Sequence, residues 1–239
     1  MYEFIENVLY EYSYPVLFGF ALGYFGLLYF GLAPLFLWVC RFLERSNVLH
    51  TIEPKEVKPA QIAYEIKHSV QSIFVFALSI IPVIYLVRRG AVSLLPDTPP
   101  MVLIGVIILS LWNEVHFFLV HRLMHSRFFM RHVHFVHHRS KIPTVFSVYS
   151  FHWAEAWLLS TVPLTIVPFI PFSIVAVFLY PLASVLINYA GHCNYRFGQG
   201  DGEHWLLLGT YHHQHHSKGR KNYGFALRFL DKLLEKLTS

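Results

Sequence analysis

Long uncharged apolar runs alternate along this chain with short polar segments, and the runs have membrane-spanning length. Tyr12 to Cys40 contains no Asp, Glu, Lys or Arg. At about 1.5 Å per residue, a helix over this run outspans a hydrocarbon layer of about 30 Å, so a tilted crossing or one kinked at Pro34 fits. His68 to Val87 predicts a second span, closed by Arg88, Arg89 and Gly90. Pro96 to Pro100 reads as a turn-rich connector. Met101 to Val120 predicts a third span, interrupted only by Asn113, Glu114 and His116.

Ala156 to Tyr195 is again uncharged and about twice the length of one span. Pro163, Pro168 and Pro171 break it, which predicts a hairpin that enters the membrane and returns. The expected fold is therefore all-α and integral to a membrane: four to five transmembrane helices with a cytosolic helical cap, as one domain over 1–239. The N-terminal run reads as a span and not a signal peptide, since Glu3, Glu6 and Glu11 precede it and no cleavage pattern follows.

Composition supports that picture. Hydrophobic residues make up 55% of the chain and charged residues only 14%, against about 25% charged in a soluble domain. This excludes intrinsic disorder. The stretches 41–67, 121–155 and 192–239 hold 17 of the 19 Lys and Arg residues. Placed on one side, they orient that side to the cytosol by the positive-inside rule. The net charge of +5 is then explained by a basic face beside anionic lipid and calls for no nucleic acid.

The two cysteines, Cys40 and Cys193, form no disulfide framework and no Cys-type zinc site. Histidine is the unusual residue: 16 copies, more than Asp and Glu together. His121 and His125 are four apart, as a helix continuing from the third span would place on one face. His134, His137 and His138 form an i, i+3, i+4 set, and His212, His215 and His216 repeat it. Between them, Asn188 and His192 end the apolar hairpin. With this His content, roughly 0.07 chance matches to HxxHH are expected, so two matches beside an HxxxH point to a built site. Neutral imidazoles suit iron, zinc, copper or nickel, and four short helical segments fill about two coordination spheres. His50, His68, His132, His204 and His213 read as surface or packing residues, and His116 as a packing residue within its span.

These motifs, with His121-Arg122, Pro143, His152-Trp-Ala-Glu155, Asn222-Tyr223-Gly224 and Asp231, resemble the fatty acid hydroxylase/sterol desaturase superfamily of membrane di-iron enzymes. The resemblance covers about 101–234. The three-residue spacer of the first motif looks more like the sterol-oxidase and sterol-desaturase branch. The chain departs from the family at Leu234-Glu-Lys, where relatives often have Gly-Thr. The resemblance implies two iron ions held by His121, His125, His134, His137, His138, His192, His212, His215 and His216, with zinc able to replace iron in a purified protein. It implies dioxygen-dependent hydroxylation or desaturation of a sterol or fatty-acyl lipid taken from the bilayer. Electrons would come from NAD(P)H through a reductase and a separate carrier, cytochrome b5-like or ferredoxin-like. The endoplasmic reticulum and a bacterial inner membrane both fit.

Outer partners of the ligands are expected among Glu155, Glu114, Asp231, His152 and Asn188, because a ligating imidazole usually gives its second N–H to a carboxylate or carbonyl. Asn188 is expected either to hold a metal-bound water or to bond between helices. Phe117, Phe118, Phe146, Tyr149 and Trp153 read as packing residues first and as walls of a lipid tunnel second. Two other function classes remain open at this point: a His-lined metal transporter or sensor, and a non-catalytic lipid-binding relative. No HExxH, GxSxG or P-loop motif supports a hydrolase or nucleotide triphosphatase.

Overall fold

A computed structural model describes residues 7–197, 208–218 and 222–238. Four helices are long and apolar enough to cross a membrane: α1 (Tyr14–Arg45), α2 (Pro59–Arg88), α3 (Pro99–Met124) and a later helix, Ile174–His192. The first three begin with Pro in the opening turn, where the missing N–H costs nothing and φ is already helical. These three extend past the apolar runs that announce them at one or both ends, because helical hydrogen bonding continues into charged flanks while hydropathy marks only the lipid-facing part. The kink expected at Pro34 takes the form of a π-turn at Leu27–Gly31, one turn earlier, which widens the helix where the proline ring would meet the preceding turn. Outward faces carry Phe20, Leu27, Phe30, Leu103, Ile107 and Phe178, each about half exposed or more. Such a surface is stable against lipid and not against water.

After α3 the chain runs through a helical stretch, α4 (127–138), with a π-turn at Met130–His134. The predicted hairpin then differs from a helix pair. Its outgoing limb is a short helix, α5 (Trp153–Ser160), followed by a 3-10 turn at Pro163–Thr165 and a two-residue strand, β3 (Phe172–Ser173). Eight residues reach only about 12 Å, and the prolines stop continuation. The irregular limb is tolerated because it is packed within protein: Val162, Ile166 and Val167 share a buried cluster with Val87, Leu109 and Tyr180. Thr161 Oγ1 lies 3.0 Å from His116 Nε2, and Trp112 Nε1 donates to Thr165 Oγ1 at 2.9 Å. His116 is thus a packing residue, as its place within a span suggested.

The return limb is α6 (Ile174–His192). β3 pairs in parallel with β2 (Leu94–Leu95), and Asp97 Oδ1 accepts from Ser173 Oγ at 2.5 Å and from the Val175 amide at 3.2 Å. These contacts close one end of the bundle. At the other end, β1 (His50–Thr51) pairs antiparallel with β4 (Tyr195–Arg196), and α7 (Leu208–Lys218) packs on α6. A last amphipathic helix, α8 (Phe229–Thr238), follows. Where α3 crosses α6, a Cβ on Gly105 would stand 2.6 Å from Ala176 Cβ. Only glycine permits that approach, and it aligns the two helices whose far ends carry His121 and His192.

Candidate metal centre

The nine expected histidines converge at one end of the bundle. His121 is in the last turn of α3 and His125 caps it; His134, His137 and His138 lie at the end of α4, His192 ends α6, and the remaining three lie on α7. They fall into two groups, in each of which the ligand nitrogens lie within 4.8 Å of one another: His121, His125, His134, His138 and His215, and His137, His192, His212 and His216. Each HxxHH triplet is split between the groups. Its i, i+4 pair points one way and its i+3 member is turned about 60–100° around the helix. His134 and His138 serve the five-His group while His137 serves the other. On α7 the division is reversed, with His212 and His216 in the four-His group and His215 crossing over. The repeated spacing therefore builds two adjoining centres from one helical geometry.

The facing atoms are Nε2. In the five-His group, His125, His138 and His215 stand 3.0–3.2 Å apart. In the four-His group, His137–His192, His192–His212 and His212–His216 are 3.4, 3.2 and 3.2 Å apart. Three rings have their protonation fixed from behind. His121 Nδ1–H donates to the Tyr223 carbonyl at 2.9 Å, His134 Nδ1–H to Glu155 Oε1 at 2.7 Å and His192 Nδ1–H to the Asn188 carbonyl at 2.9 Å. Neutral rings so held present Nε2 lone pairs inward, and His121 Nε2 and His134 Nε2 have no hydrogen-bond partner. Lone pairs converging without protons repel unless a cation lies among them. Ligands about 2.1 Å from a common metal would be separated by roughly 3.0–3.4 Å, which matches the contacts seen. The donor set fits a transition-metal pair.

Electrostatics agree. Burial, then the neighbouring His215, lowers the His125 pKa to about 3, and burial with His215 and His125 lowers that of His138 to about 2. His134, His137, His212 and His216 are pushed far below the ordinary imidazole value by burial first and adjoining rings second. All are neutral near pH 7, the form that ligates.

Among the expected outer partners, Glu155 alone of the carboxyls touches a cluster ring. Burial pushes its carboxyl above the usual carboxylate range. Glu114 and Asp231 stand one step further back than expected. Glu114 accepts from the amides of Phe225, Ala226 and Leu227 at 2.8–3.2 Å. Asp231 accepts from the Tyr223 and Gly224 amides, both at 2.9 Å, and from the Tyr211 hydroxyl. Together they grip the loop whose Tyr223 carbonyl orients His121. A Cβ on Gly224 would collide with the Leu227 carbonyl and crowd both carboxylates, so that grip requires glycine.

One further expectation is corrected. His152 does not reach the cluster: its Nδ1 accepts from the Ala154 amide at 3.2 Å and caps α5, the helix that carries Glu155. Of the two alternatives for Asn188, the side chain takes the packing one, donating at 3.0 Å to the Val148 carbonyl in the turn after Val145–Ser147, and its contact with His192 is through the backbone. His213 is buried and takes the packing alternative of its expected surface or packing role. His204 lies outside the described residues. The Tyr223 carbonyl had no sequence signal as an acceptor, although Asn222, which precedes it at φ +69°, is of the type that favours such a left-handed turn.

A cavity of about 300 Å³ runs within the bundle from Leu9 and Val83 at the far end to Phe117, Phe151, Asn188 and Phe225. Phe151 packs against His137 with centroids 4.7 Å apart, and Phe117 against His121 at 4.9 Å. Of the aromatics considered from sequence, Phe117 and Tyr149 line this space; Phe118 and Phe146 do not, and Trp153 is mostly exposed.

Comparison with known proteins gives the same location. The chain is 28% identical over 182 residues to lathosterol oxidase of Rattus norvegicus, across 72% of this chain and 60% of the rat protein's length. It thus spans less than two thirds of that relative. No solved structure matches. Residues 106–236, from the middle of α3 to the last turn of α8, match the sequence profile of the fatty acid hydroxylase family. That stretch contains every one of the nine converging histidines, and the chain belongs to the fatty acid hydroxylase family.

Proposed function

We propose that this chain is a membrane-embedded lipid oxygenase that hydroxylates or desaturates a sterol or fatty-acyl substrate. The observation that carries this reading is the convergence of nine imidazoles into two adjoining groups beside an apolar cavity, separated from it by Phe117 and Phe151. His121, His125, His134, His138 and His215 would hold one iron ion, and His137, His192, His212 and His216 the other. When bound, the irons supply dioxygen activation for attack on an unactivated C–H bond; zinc competes for the same imidazoles. In hydroxylation one oxygen atom enters the C–H bond and the other leaves as water. Desaturation removes two hydrogens, and both oxygens leave as water. Either outcome consumes two electrons and two protons from outside the chain.

The chain's own residues set the conditions. The cavity excludes water and admits hydrocarbon, and Phe117 and Phe151 bring its wall against the imidazoles. Glu155, and the loop gripped by Glu114 and Asp231, keep His134 and His121 oriented. Arg122, Arg127, Arg131, Arg139 and Lys141 are exposed around the His-bearing end. They fit an acidic electron carrier, cytochrome b5-like or ferredoxin-like, fed by an NAD(P)H reductase. The same basic bias supports a cytosolic location for this end, in the endoplasmic reticulum or a bacterial inner membrane. The whole of 1–239 would then act as one membrane domain. A transporter site would be expected near the bilayer midplane, whereas these histidines gather at the helix ends.

The test is lipid profiling of cells expressing the wild type against His137→Ala. A lipid gaining an oxygen or a double bond only with the wild type supports the proposal. Identical profiles, with both proteins present in the membrane, would count against it.

A further inference from the structure

A second polar pair lies within the bundle, unused by any role above. Asn113 on α3 and Tyr180 on α6 both line the cavity, and each is only 7% exposed. Tyr180 Oη donates to Asn113 Oδ1 at 2.7 Å. That bond fixes the carboxamide and leaves its NH2 hydrogens without a protein acceptor among the described residues. An interhelical bond would need only the first contact; a second donor facing an apolar cavity, on a residue only 7% exposed, is costly beside hydrocarbon unless something accepts from it.

The spacing says where that acceptor would be. Asn113, Phe117 and His121 recur every four residues along one face of α3, so the amide lies about 12 Å along the helix axis from the metal-binding imidazole. Tyr180, Ser184, Asn188 and His192 repeat the spacing on α6. Two stripes thus run from the same polar pair, one to His121 of the five-His group and one to His192 of the four-His group, along a cavity with walls that are otherwise mostly apolar.

We infer that Asn113 is a specificity-determining residue, whose NH2 donates to a carbonyl or hydroxyl oxygen of the lipid in the cavity. The substrate class is then a chain or fused-ring lipid with an oxygen separated by about 12 Å of hydrocarbon skeleton from the carbon presented to the histidines. A tail of hydrocarbon alone would leave the amide unpaired and be disfavoured. This assignment rests on the oxygenase reading for its reaction, but the binding itself requires neither metal nor electrons.

The test uses two probes of equal length, 2-hexadecanone and hexadecane, and their retention by the full chain in lipid nanodiscs after subtraction of empty discs. The wild type is expected to hold the ketone about tenfold more tightly than the alkane, the gain of one buried hydrogen bond. Asn113→Leu should abolish that preference while hexadecane retention stays unchanged, with a modest fall in melting temperature from the Tyr180 hydroxyl left without its acceptor. If Asn113→Leu fails to fold, Asn113→Ala carries the same expectation, and the wild-type preference can be read alone. Equal retention of the two probes by the wild type would overturn the assignment, as would a preference that survives both substitutions. An unchanged preference together with normal lipid oxidation would remove this handle and leave the oxygenase reading standing.

Discussion

Glu155 shows how much one residue contributes behind a ligand. Its Oε1 accepts from His134 Nδ1–H in a setting where both side chains are almost fully buried. Glu155→Ala leaves that N–H unpaired and frees the ring, so metal affinity should fall by about 10–100-fold. Glu155→Gln keeps an acceptor of the same shape and should lose less. Chelator competition on the purified variants would rank them, and equal affinity in all three would show that the contact does not orient the ligand. Asn188→Ala makes the opposite case, because its carboxamide lies on the Val148 carbonyl and not on a histidine. Metal content should stay at the wild-type level while thermal stability drops by about 1 kcal/mol; loss of metal with unchanged stability would contradict that placement. The nine ligands were legible in the sequence because imidazole spacing is local to a helix. The atoms behind them were legible only in part. Glu155, 21 residues from His134, was expected through the family resemblance and not through spacing, whereas the Tyr223 carbonyl, 102 residues from His121, was not, because a backbone carbonyl has no sequence identity.

At the scale of elements, two contacts decide whether the ligands meet. The loop 222–227 is held from both sides, by Asp231 from its own helix and by Glu114 from α3. Glu114→Ala strands three part-buried backbone amides, so it should cost on the order of 2 kcal/mol and loosen Tyr223 from His121. Limited proteolysis near this loop would detect the change, and wild-type resistance would refute the anchoring role. The Gly105–Ala176 crossing is the second contact. Gly105→Leu forces α3 and α6 apart at a point that lacks room for a Cβ, with an expected cost of about 1–3 kcal/mol and reduced metal retention. A fully metallated and equally stable variant would show that the crossing tolerates separation. Sequence reading found the spans α1 to α3 and the return limb α6, because their signal is length and hydropathy. It missed that the outgoing limb is a short helix and an irregular strand. Hydropathy reports that 161–171 belongs within the membrane region, while the prolines say only where a helix stops.

Across the whole molecule, the chain is a bundle that closes one end with β2, β3 and Asp97 and spends the other on histidines. The two groups at that end are not equally supported. In the five-His group, His121 and His134 have acceptors behind their rings. In the four-His group, among the described residues, only His192 does, and Nδ1 of His137, His212 and His216 is buried without one. Gradual chelation should therefore empty the four-His group first, seen as two separated steps in metal release. The central claim is tested most directly by counting metal ions per chain in the purified wild type and in two double variants, His212→Ala/His216→Ala and His121→Ala/His134→Ala. Two transition-metal ions per wild-type chain, falling to one in each double variant, is the predicted result. A wild type without metal, or double variants that keep both ions, would contradict it.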